Sequence, residues 1–163
     1  MTARVKAKRI GATAGTVLAG LAVLAAAAAC ERSPRFVPYA SVKQIMAEVL
    51  EPAADSYWDA VGSVSDKNGI TEHAPVTDSA WAAVRNSATV IAESGNLLLI
   101  DPRARDRGEW VKFSRDLVAV GARARDAAEA RDTKRIFDVG AEVYQACVNC
   151  HAKYLVPPMS ATK

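Results

Sequence analysis

Residues 134–154 read KRIFDVGAEVYQACVNCHAKY, and this stretch carries the most specific pattern in the chain. We expect it to form the last helix of the protein. Cys147 and Cys150 are three residues apart, which is about one helical turn, so their thiols face the same way. His151 follows directly. Two thiols and one imidazole are therefore grouped near the end of the predicted helix.

The spacing C-x-x-C-H is the attachment sequence of c-type haem. Two thiols on one face can add to the two vinyl groups along one edge of a porphyrin, and the next residue, His151, then lies beneath the iron as the proximal ligand. We therefore expect one covalent haem c per chain, held by Cys147 and Cys150. A bare C-x-x-C also occurs in redox dithiols and zinc sites. Against these, the chain lacks a βαβ context, and its only other histidine is His73.

Three further helical patterns precede this stretch. The first begins where Ser41 and Gln44 have capping-box spacing, and it contains Pro52, which should kink or divide the helix. The other predicted segments are a polar connection from Gly62 to Val76, a second helix from near Asp78 to Asp101-Pro102, a third from about Gly108 to Arg131, and a fourth from about Lys134 to Tyr154. Four helices with mostly short connections predict an all-α fold, an antiparallel up-down four-helix bundle.

Apolar residues recur at three- and four-residue intervals in these helices and predict the core. They are Val42, Ile45, Met46, Val49, Ala53, Tyr57 and Val61 in the first helix, Trp81, Val84, Ala88, Ile91, Ala92 and Leu98 or Leu99 in the second, and Trp110, Phe113, Leu117, Val120 and Ala124 in the third. The three tryptophans occupy core-like positions, so we expect them to serve in packing.

The first 29 residues have the pattern of an export signal. Four basic residues are followed by a charge-free run, residues 10–29, that ends in a tract of alanines. The alternative is an uncleaved membrane anchor. Cys30 follows the alanines and resembles a bacterial lipoprotein cleavage site, although Ala27 stands where leucine is usual. We therefore predict lipidation of Cys30, with ordinary cleavage in the alanine tract as the alternative. Residues 30–40 would then be a tether, and the protein would lie on the periplasmic side of a bacterial membrane.

The basic character of the chain belongs to this signal. It holds four of the 21 Lys and Arg residues and none of the 18 Asp and Glu residues, which leaves 17 basic against 18 acidic side chains. A nearly neutral mature chain gives no reason to expect nucleic-acid binding. Its three cysteines cannot all pair, but lipid on Cys30 and haem on Cys147 and Cys150 would account for every thiol.

The position of the motif distinguishes this chain from common small cytochromes c, which have the motif near the N-terminus and a methionine ligand far downstream. Here only Met159 follows His151. A four-helix pattern that ends in Cys147-Val148-Asn149-Cys150-His151-Ala152-Lys153-Tyr154 resembles the class II cytochromes c, the cytochrome c′ superfamily. The resemblance covers about residues 39–156. It implies a cytochrome domain over residues 41–156, with a tail at 157–163 and haem attached to the C-terminal helix.

The same resemblance places a first-helix residue on the other side of the iron, and Met46 falls at that position. A thioether is a soft, uncharged iron ligand, and Met/His ligation raises the reduction potential. Met46 would be the distal ligand of a low-spin cytochrome. The alternatives are that Met46 only fills the core, that His73 is the sixth ligand, or that the iron is open.

The expected function is one-electron transfer rather than enzymatic catalysis. Partners would be periplasmic or membrane redox proteins that meet the haem edge through a small interface, and the resemblance also implies that the chain can form a homodimer. The alternative is a five-coordinate haem protein that binds nitric oxide or carbon monoxide. Weak peroxidase activity would also need an open iron.

Several other residues have two readings each. Tyr144 and Tyr154 share a face with the motif and either flank the haem or simply pack. Lys153 either neutralises a haem propionate or is solvated. The cluster Arg103, Arg105, Asp106 and Arg107 either helps a propionate or partner to dock or, as we expect, forms a surface loop of mixed charge.

Overall fold

The computed structural model describes residues 36–155. The predicted export signal (1–29), the lipidation site Cys30 and the C-terminal tail (157–163) lie outside this range. About 68% of the described residues are helical, in four helices, which confirms the all-α expectation at that level. No helix among residues 36–155 is long and apolar enough to cross a membrane.

Helix α1 covers residues 42–58 and begins as predicted. The Ser41 hydroxyl accepts a hydrogen bond from the Gln44 backbone N–H at 3.3 Å, and the Gln44 side chain accepts one from the Ser41 N–H at 3.0 Å. These two bonds are the reciprocal pair of a capping box. They satisfy backbone donors that the first turn of a helix leaves free.

Pro52 does not divide α1, because a wide turn precedes it. The helix consists of an α-helical turn Val42–Ile45, a π-helical segment Met46–Leu50 and a second α-helical part Glu51–Trp58. In the π segment the Glu51 N–H donates to the Met46 carbonyl, five residues back. Proline has no N–H, and its ring crowds the carbonyl four residues earlier, here that of Glu48. A wider turn at this point relieves the crowding without ending the helix.

A β-hairpin occupies the segment that we expected to be a polar connection. Strands β1, Gly62–Asp66, and β2, Gly69–His73, pair antiparallel with Asp66 opposite Gly69. Gly69 has a φ of 125°, which residues with a side chain rarely adopt. The Asp66 carboxylate also accepts a hydrogen bond from the Asn68 N–H at 2.7 Å. The expectation of a loop without strands was therefore wrong.

The other three helices agree with the predicted limits to within a few residues. They are α2, Asp78–Leu99, α3, Glu109–Glu129, and α4, Thr133–Tyr154. Thr77 caps α2 by accepting from the Ala80 N–H at 3.1 Å. Asp132 caps α4 by accepting from the Arg135 N–H at 2.9 Å. Short polar side chains just before each helix explain why both start where the sequence indicated.

Two glycines let α2 and α3 approach closely. A Cβ atom on Gly121 would lie 2.5 Å from the Ala92 backbone nitrogen, and one on Gly95 would lie 2.5 Å from the Ser114 carbonyl oxygen. At each glycine, the backbone of the opposite helix occupies the space that a side chain would need. Around this contact the predicted apolar faces are buried, with Ala88, Ile91 and Ala124 fully enclosed.

Tryptophan side chains join helix ends, as well as filling space. The Trp110 indole N–H, at the start of α3, donates to the Leu98 carbonyl at the end of α2 at 2.8 Å. The Trp58 indole N–H, at the end of α1, donates to the Gly140 carbonyl of α4 at 2.9 Å. Trp110 is buried and Trp58 is partly buried, so each satisfies its polar atom inside the structure. The predicted packing role is confirmed for both.

Candidate functional site

One small cavity is lined by all the residues within 36–155 that were predicted to attach haem or bind iron, namely Met46, Cys147, Cys150 and His151. It lies among the four helices, at the end of the molecule where α1 and α3 begin and α2 and α4 finish. The cavity is lined by Met46 and Leu50 of α1, Leu98 of α2, Phe113, Ser114 and Leu117 of α3, and Ala146, Cys147, Cys150 and His151 of α4. The structure therefore brings a distant first-helix methionine to the C-x-x-C-H motif.

The two cysteines are half-buried on the inner side of α4 and are not joined by a disulfide. Burial raises the pKa of the Cys147 thiol. Burial, together with the neighbouring Cys147, also raises the pKa of the Cys150 thiol. A redox dithiol needs the opposite shift, because the thiolate is the reactive form. The burial of the two thiols therefore gives no support to thiol–disulfide chemistry at this motif.

His151 is half-buried one residue beyond Cys150, within the last turn of α4. The Leu155 N–H donates to its carbonyl at 3.0 Å, so the backbone of His151 is still held in the helix. A helical backbone keeps the histidine on the inner side with the two cysteines. The imidazole is a good iron ligand as a neutral ring.

Met46 lines the cavity from α1, a different helix from the one that carries the motif. It is the first residue of the π segment and packs against the buried core. A π turn contains one more residue than an α turn. The faces of α1 before and after the segment are therefore offset relative to a regular helix. Met46 and Leu50 are four residues apart, so they lie on the same side of α1 and both line the cavity.

The donor set suits a covalently attached haem. Two thiols one turn apart, an imidazole and a thioether are the groups that c-type haem uses for attachment and ligation, and the rest of the lining is apolar except for Ser114. The enclosed space is about 40 Å³, close to the share of one liquid water molecule, about 30 Å³. A porphyrin is larger, so the apolar side chains between the helices would move apart on binding.

The zinc alternative gains no support. Within residues 36–155 no three or more His, Cys, Asp and Glu side chains come together to hold a metal ion. Zinc in proteins usually takes four such ligands in a tetrahedron. The methionine that completes the set around this cavity is a soft ligand better suited to haem iron.

His73 lies in a different part of the molecule. It ends β2, and its Nε2 is 3.2 Å from the Asp59 carbonyl oxygen. The ring also covers Gly62, where a Cβ would meet it at 2.9 Å. The structure thus gives His73 a local role at the base of the hairpin and does not bring it to the cavity as a sixth ligand.

The two tyrosines pack rather than line the cavity. Tyr154 stands edge-on to Trp110, with ring centroids 5.0 Å apart, and to Phe113 at 6.3 Å. Tyr144 is largely exposed and stands edge-on to Trp58 at 6.2 Å. Tyr154 therefore packs against the core, whereas Tyr144 contacts Trp58 from the surface.

The loop between α2 and α3 is a surface loop of mixed charge, as expected, at Arg105, Asp106 and Arg107, but not at Arg103. Arg103 is only 8% exposed. Its Nε donates to the Ala40 carbonyl at 2.8 Å and its Nη1 to the Leu97 carbonyl at 3.1 Å. By contrast, Arg107 forms an exposed ion pair with Asp101 at 2.8 Å. On α4, Lys153 pairs with Glu109.

Sequence reasoning missed part of the cavity wall. Leu98, Phe113 and Leu117 were predicted to face inward, and they do line it. Leu50 was not included in the predicted stripe, although it follows Met46 by four residues and therefore shares its side of the helix. Ser114 was missed because it is polar, yet it is buried with its hydroxyl donating to the Trp110 carbonyl at 2.8 Å. A serine that bonds back into its own helix is compatible with a core position.

Comparison with known proteins adds nothing to this geometry, since no family model, curated protein or solved structure matches the chain.

Proposed function

We propose that the protein is an exported monohaem c-type cytochrome that carries single electrons. One observation carries the proposal: the two cysteines and the histidine of the C-x-x-C-H motif share an apolar cavity with Met46, which lies about 100 residues earlier in the sequence. A motif that merely happened to have this spacing would not require a soft ligand from another helix to face it.

The proposal includes an antiparallel up-down four-helix bundle with haem c attached to α4, as in the class II cytochromes c. Contacts between helix ends support this topology. Trp110 joins the start of α3 to the end of α2, and Tyr154 at the end of α4 contacts Trp110. Trp58 joins the end of α1 to Gly140 in α4.

Cys147 and Cys150 would hold the haem through thioether bonds, with His151 and Met46 on the two sides of the iron. The bound group would supply one-electron chemistry between Fe(II) and Fe(III). The chain itself would supply an apolar enclosure. Leu50, Leu98 and Leu117 would keep water away from the site, and Met46 would close the iron to small ligands.

A closed iron suits a carrier with no substrate of its own. The partners would be periplasmic or membrane redox proteins that make a small, transient contact. The mature chain would be tethered to the membrane by lipid on Cys30. Its nearly balanced charge gives no reason to propose nucleic acid as a partner.

The ferrous absorption spectrum, before and after addition of carbon monoxide, tests this function most directly. Sharp low-spin bands that do not change with the gas are expected for Met/His ligation. A broad high-spin spectrum that shifts with the gas would instead favour a five-coordinate protein that binds nitric oxide or carbon monoxide.

Covalent attachment has its own test. After expression with c-haem maturation, haem should remain with the protein through acid-acetone extraction. The double variant Cys147→Ser, Cys150→Ser should lose it. Release of haem from the unsubstituted protein would contradict the central claim.

The role of Met46 is tested by Met46→Leu, which keeps an apolar side chain of similar size. We expect the iron to become accessible to carbon monoxide. Leu50→Ala is the control, because it alters the same wall of the cavity without removing a sulphur. An unchanged spectrum in Met46→Leu would show that Met46 only packs.

A further inference from the structure

The loop between α2 and α3, residues 100–108, contacts both helices that carry the proposed iron ligands. It does so through two charged side chains, Arg103 and Asp106, and neither of them lines the cavity. The contacts of these two side chains bear on how the proposed iron ligands are positioned.

Arg103 ties the start of α1 to the end of α2. Its side chain is almost fully buried, and a buried guanidinium is tolerated only when its donors are satisfied. The two carbonyls that it binds belong to Ala40, two residues before α1, and to Leu97, in the last turn of α2. Arg103 therefore holds the chain immediately before α1, the helix that carries Met46.

Asp106 ties the end of α4 to the start of α3. One carboxylate oxygen accepts from the Gly108 N–H at 2.8 Å and the Trp110 N–H at 3.1 Å. The other accepts from the Tyr154 hydroxyl. Tyr154 follows His151 by three residues, so it lies one turn along the same side of α4. Asp106 therefore holds the helical turn that carries the histidine.

We propose that this loop is a ligand bracket: Arg103 positions Met46 and Asp106, through Tyr154, positions His151. The inference rests on the proposed function. Because the thioether is neutral, its bond to iron gains little from charge attraction and depends on where the backbone of α1 holds the sulphur. A loop that fixes both helices would keep the iron six-coordinate.

The Arg103 half of the bracket is tested in the mature, haem-loaded protein with Arg103→Met and its matched control Arg107→Met. Both remove one arginine from the same loop, but Arg107 only pairs with the exposed Asp101. Arg103→Met loses two hydrogen bonds from a charged donor. We therefore expect its carbon monoxide-bound fraction to rise about tenfold. Arg107→Met should behave as the unsubstituted protein does.

The Tyr154 half is tested with Tyr154→Phe, which keeps the ring and removes only the hydroxyl. Tyr144→Phe is the control, since Tyr144 lies on the same helix and is exposed. We expect faster amide hydrogen exchange in the last turn of α4 and a shifted reduction potential for Tyr154→Phe alone. A purely packing role for Tyr154 would leave both unchanged.

The outcomes separate the two proposals. A protein without covalent haem contradicts the proposed function itself. A low-spin protein with covalent haem in which Arg103→Met and Arg107→Met bind carbon monoxide equally contradicts the Arg103 half of the bracket, and so does an unsubstituted protein whose iron is already open. Should Arg103→Met fail to fold, Arg103→Lys keeps one charged donor. It must then bind more carbon monoxide than Arg107→Lys, or the bracket is wrong.

Discussion

At Gly121 the backbone of α2 occupies the space that a side chain would need. We predict that Gly121→Ala lowers the free energy of unfolding by about 1–3 kcal/mol, the usual cost of overpacking, although alanine favours a helix over glycine by about 1 kcal/mol. The reason is that the new methyl group would meet the Ala92 backbone at 2.5 Å. Urea unfolding measures the change.

The control for this prediction is Ala122→Leu, on the exposed side of the same turn of α3. Leucine and alanine have similar helix propensities, so its effect should stay within about 0.5 kcal/mol, as for most surface substitutions. If Gly121→Ala were as stable as this control, the two helices would not be in the close contact described.

Asp106 gives a prediction with a defined pH dependence. The hydrogen bond from Tyr154 is the largest cause that lowers the pKa of Asp106 below its ordinary value of 3.8. A lowered folded-state pKa means that the ionised carboxylate stabilises the fold above pH 3.8. That contribution is lost as the pH falls through the folded-state pKa.

We therefore predict that Asp106→Asn, which can still cap α3, is less stable than the unsubstituted protein at pH 7 and equally stable in acid, where both side chains are neutral. Urea unfolding at the two pH values measures the difference. Asp116→Asn is the control, because its ion pair with Lys112 is exposed and contributes little at either pH. A difference that persisted in acid would contradict the assigned role of the charge.

Among the helices and strands, α1 shows most clearly how backbone geometry orients a residue of the candidate site. The π segment Met46–Leu50 adds one residue to the turn. Replacing the exposed Pro52 with alanine removes the ring that crowds the Glu48 carbonyl, so the segment can close to a regular helix with all of its residues. Keeping the extra residue in a regular helix would rotate Met46 by about 100° relative to the part of α1 after it.

We predict that Pro52→Ala retains covalent haem but binds carbon monoxide, since the proposed distal ligand leaves the cavity when the π turn closes. Glu51→Ala, at the neighbouring exposed position, is the control and should keep a closed iron. The ferrous spectrum with carbon monoxide measures both. A closed iron in Pro52→Ala would contradict the role given to this turn in positioning Met46.

The elements also show what could be predicted from the sequence. Helix starts were predictable where a local side chain caps the backbone, as with Ser41 and Asp132, because capping depends only on near neighbours. The hairpin was missed although Asn68-Gly69 is a strong turn signal. Its strands are almost wholly exposed, so they lack the alternation of apolar and polar residues by which strands are usually recognised.

At the scale of the whole molecule, some residues of the candidate site could be predicted from local sequence and others could not. Cys147, Cys150 and His151 were predictable because they lie within five residues and share one helix face. Met46 needed a family resemblance, since nothing local links the two ends of the chain. Leu50 was predictable from its position four residues after Met46 but was not included. Arg103 could not be predicted, because it depends on carbonyls of Ala40 and Leu97 that only the fold brings together.

The full chain also carries a prediction about its mature form, because Cys30 directly follows the charge-free run and its alanines. We expect the mature protein to begin at Cys30 with a diacylglyceryl group and to fractionate with membranes, since acyl chains add about 0.8 kcal/mol of membrane affinity per buried CH₂. Intact mass and membrane fractionation measure this.

Cys30→Ser is the control for lipidation. It should lose the lipid mass and leave the membrane while keeping the haem spectrum, because the described residues that line the cavity all lie from Met46 to His151. An unmodified chain that begins within the alanine tract would contradict lipidation but not export.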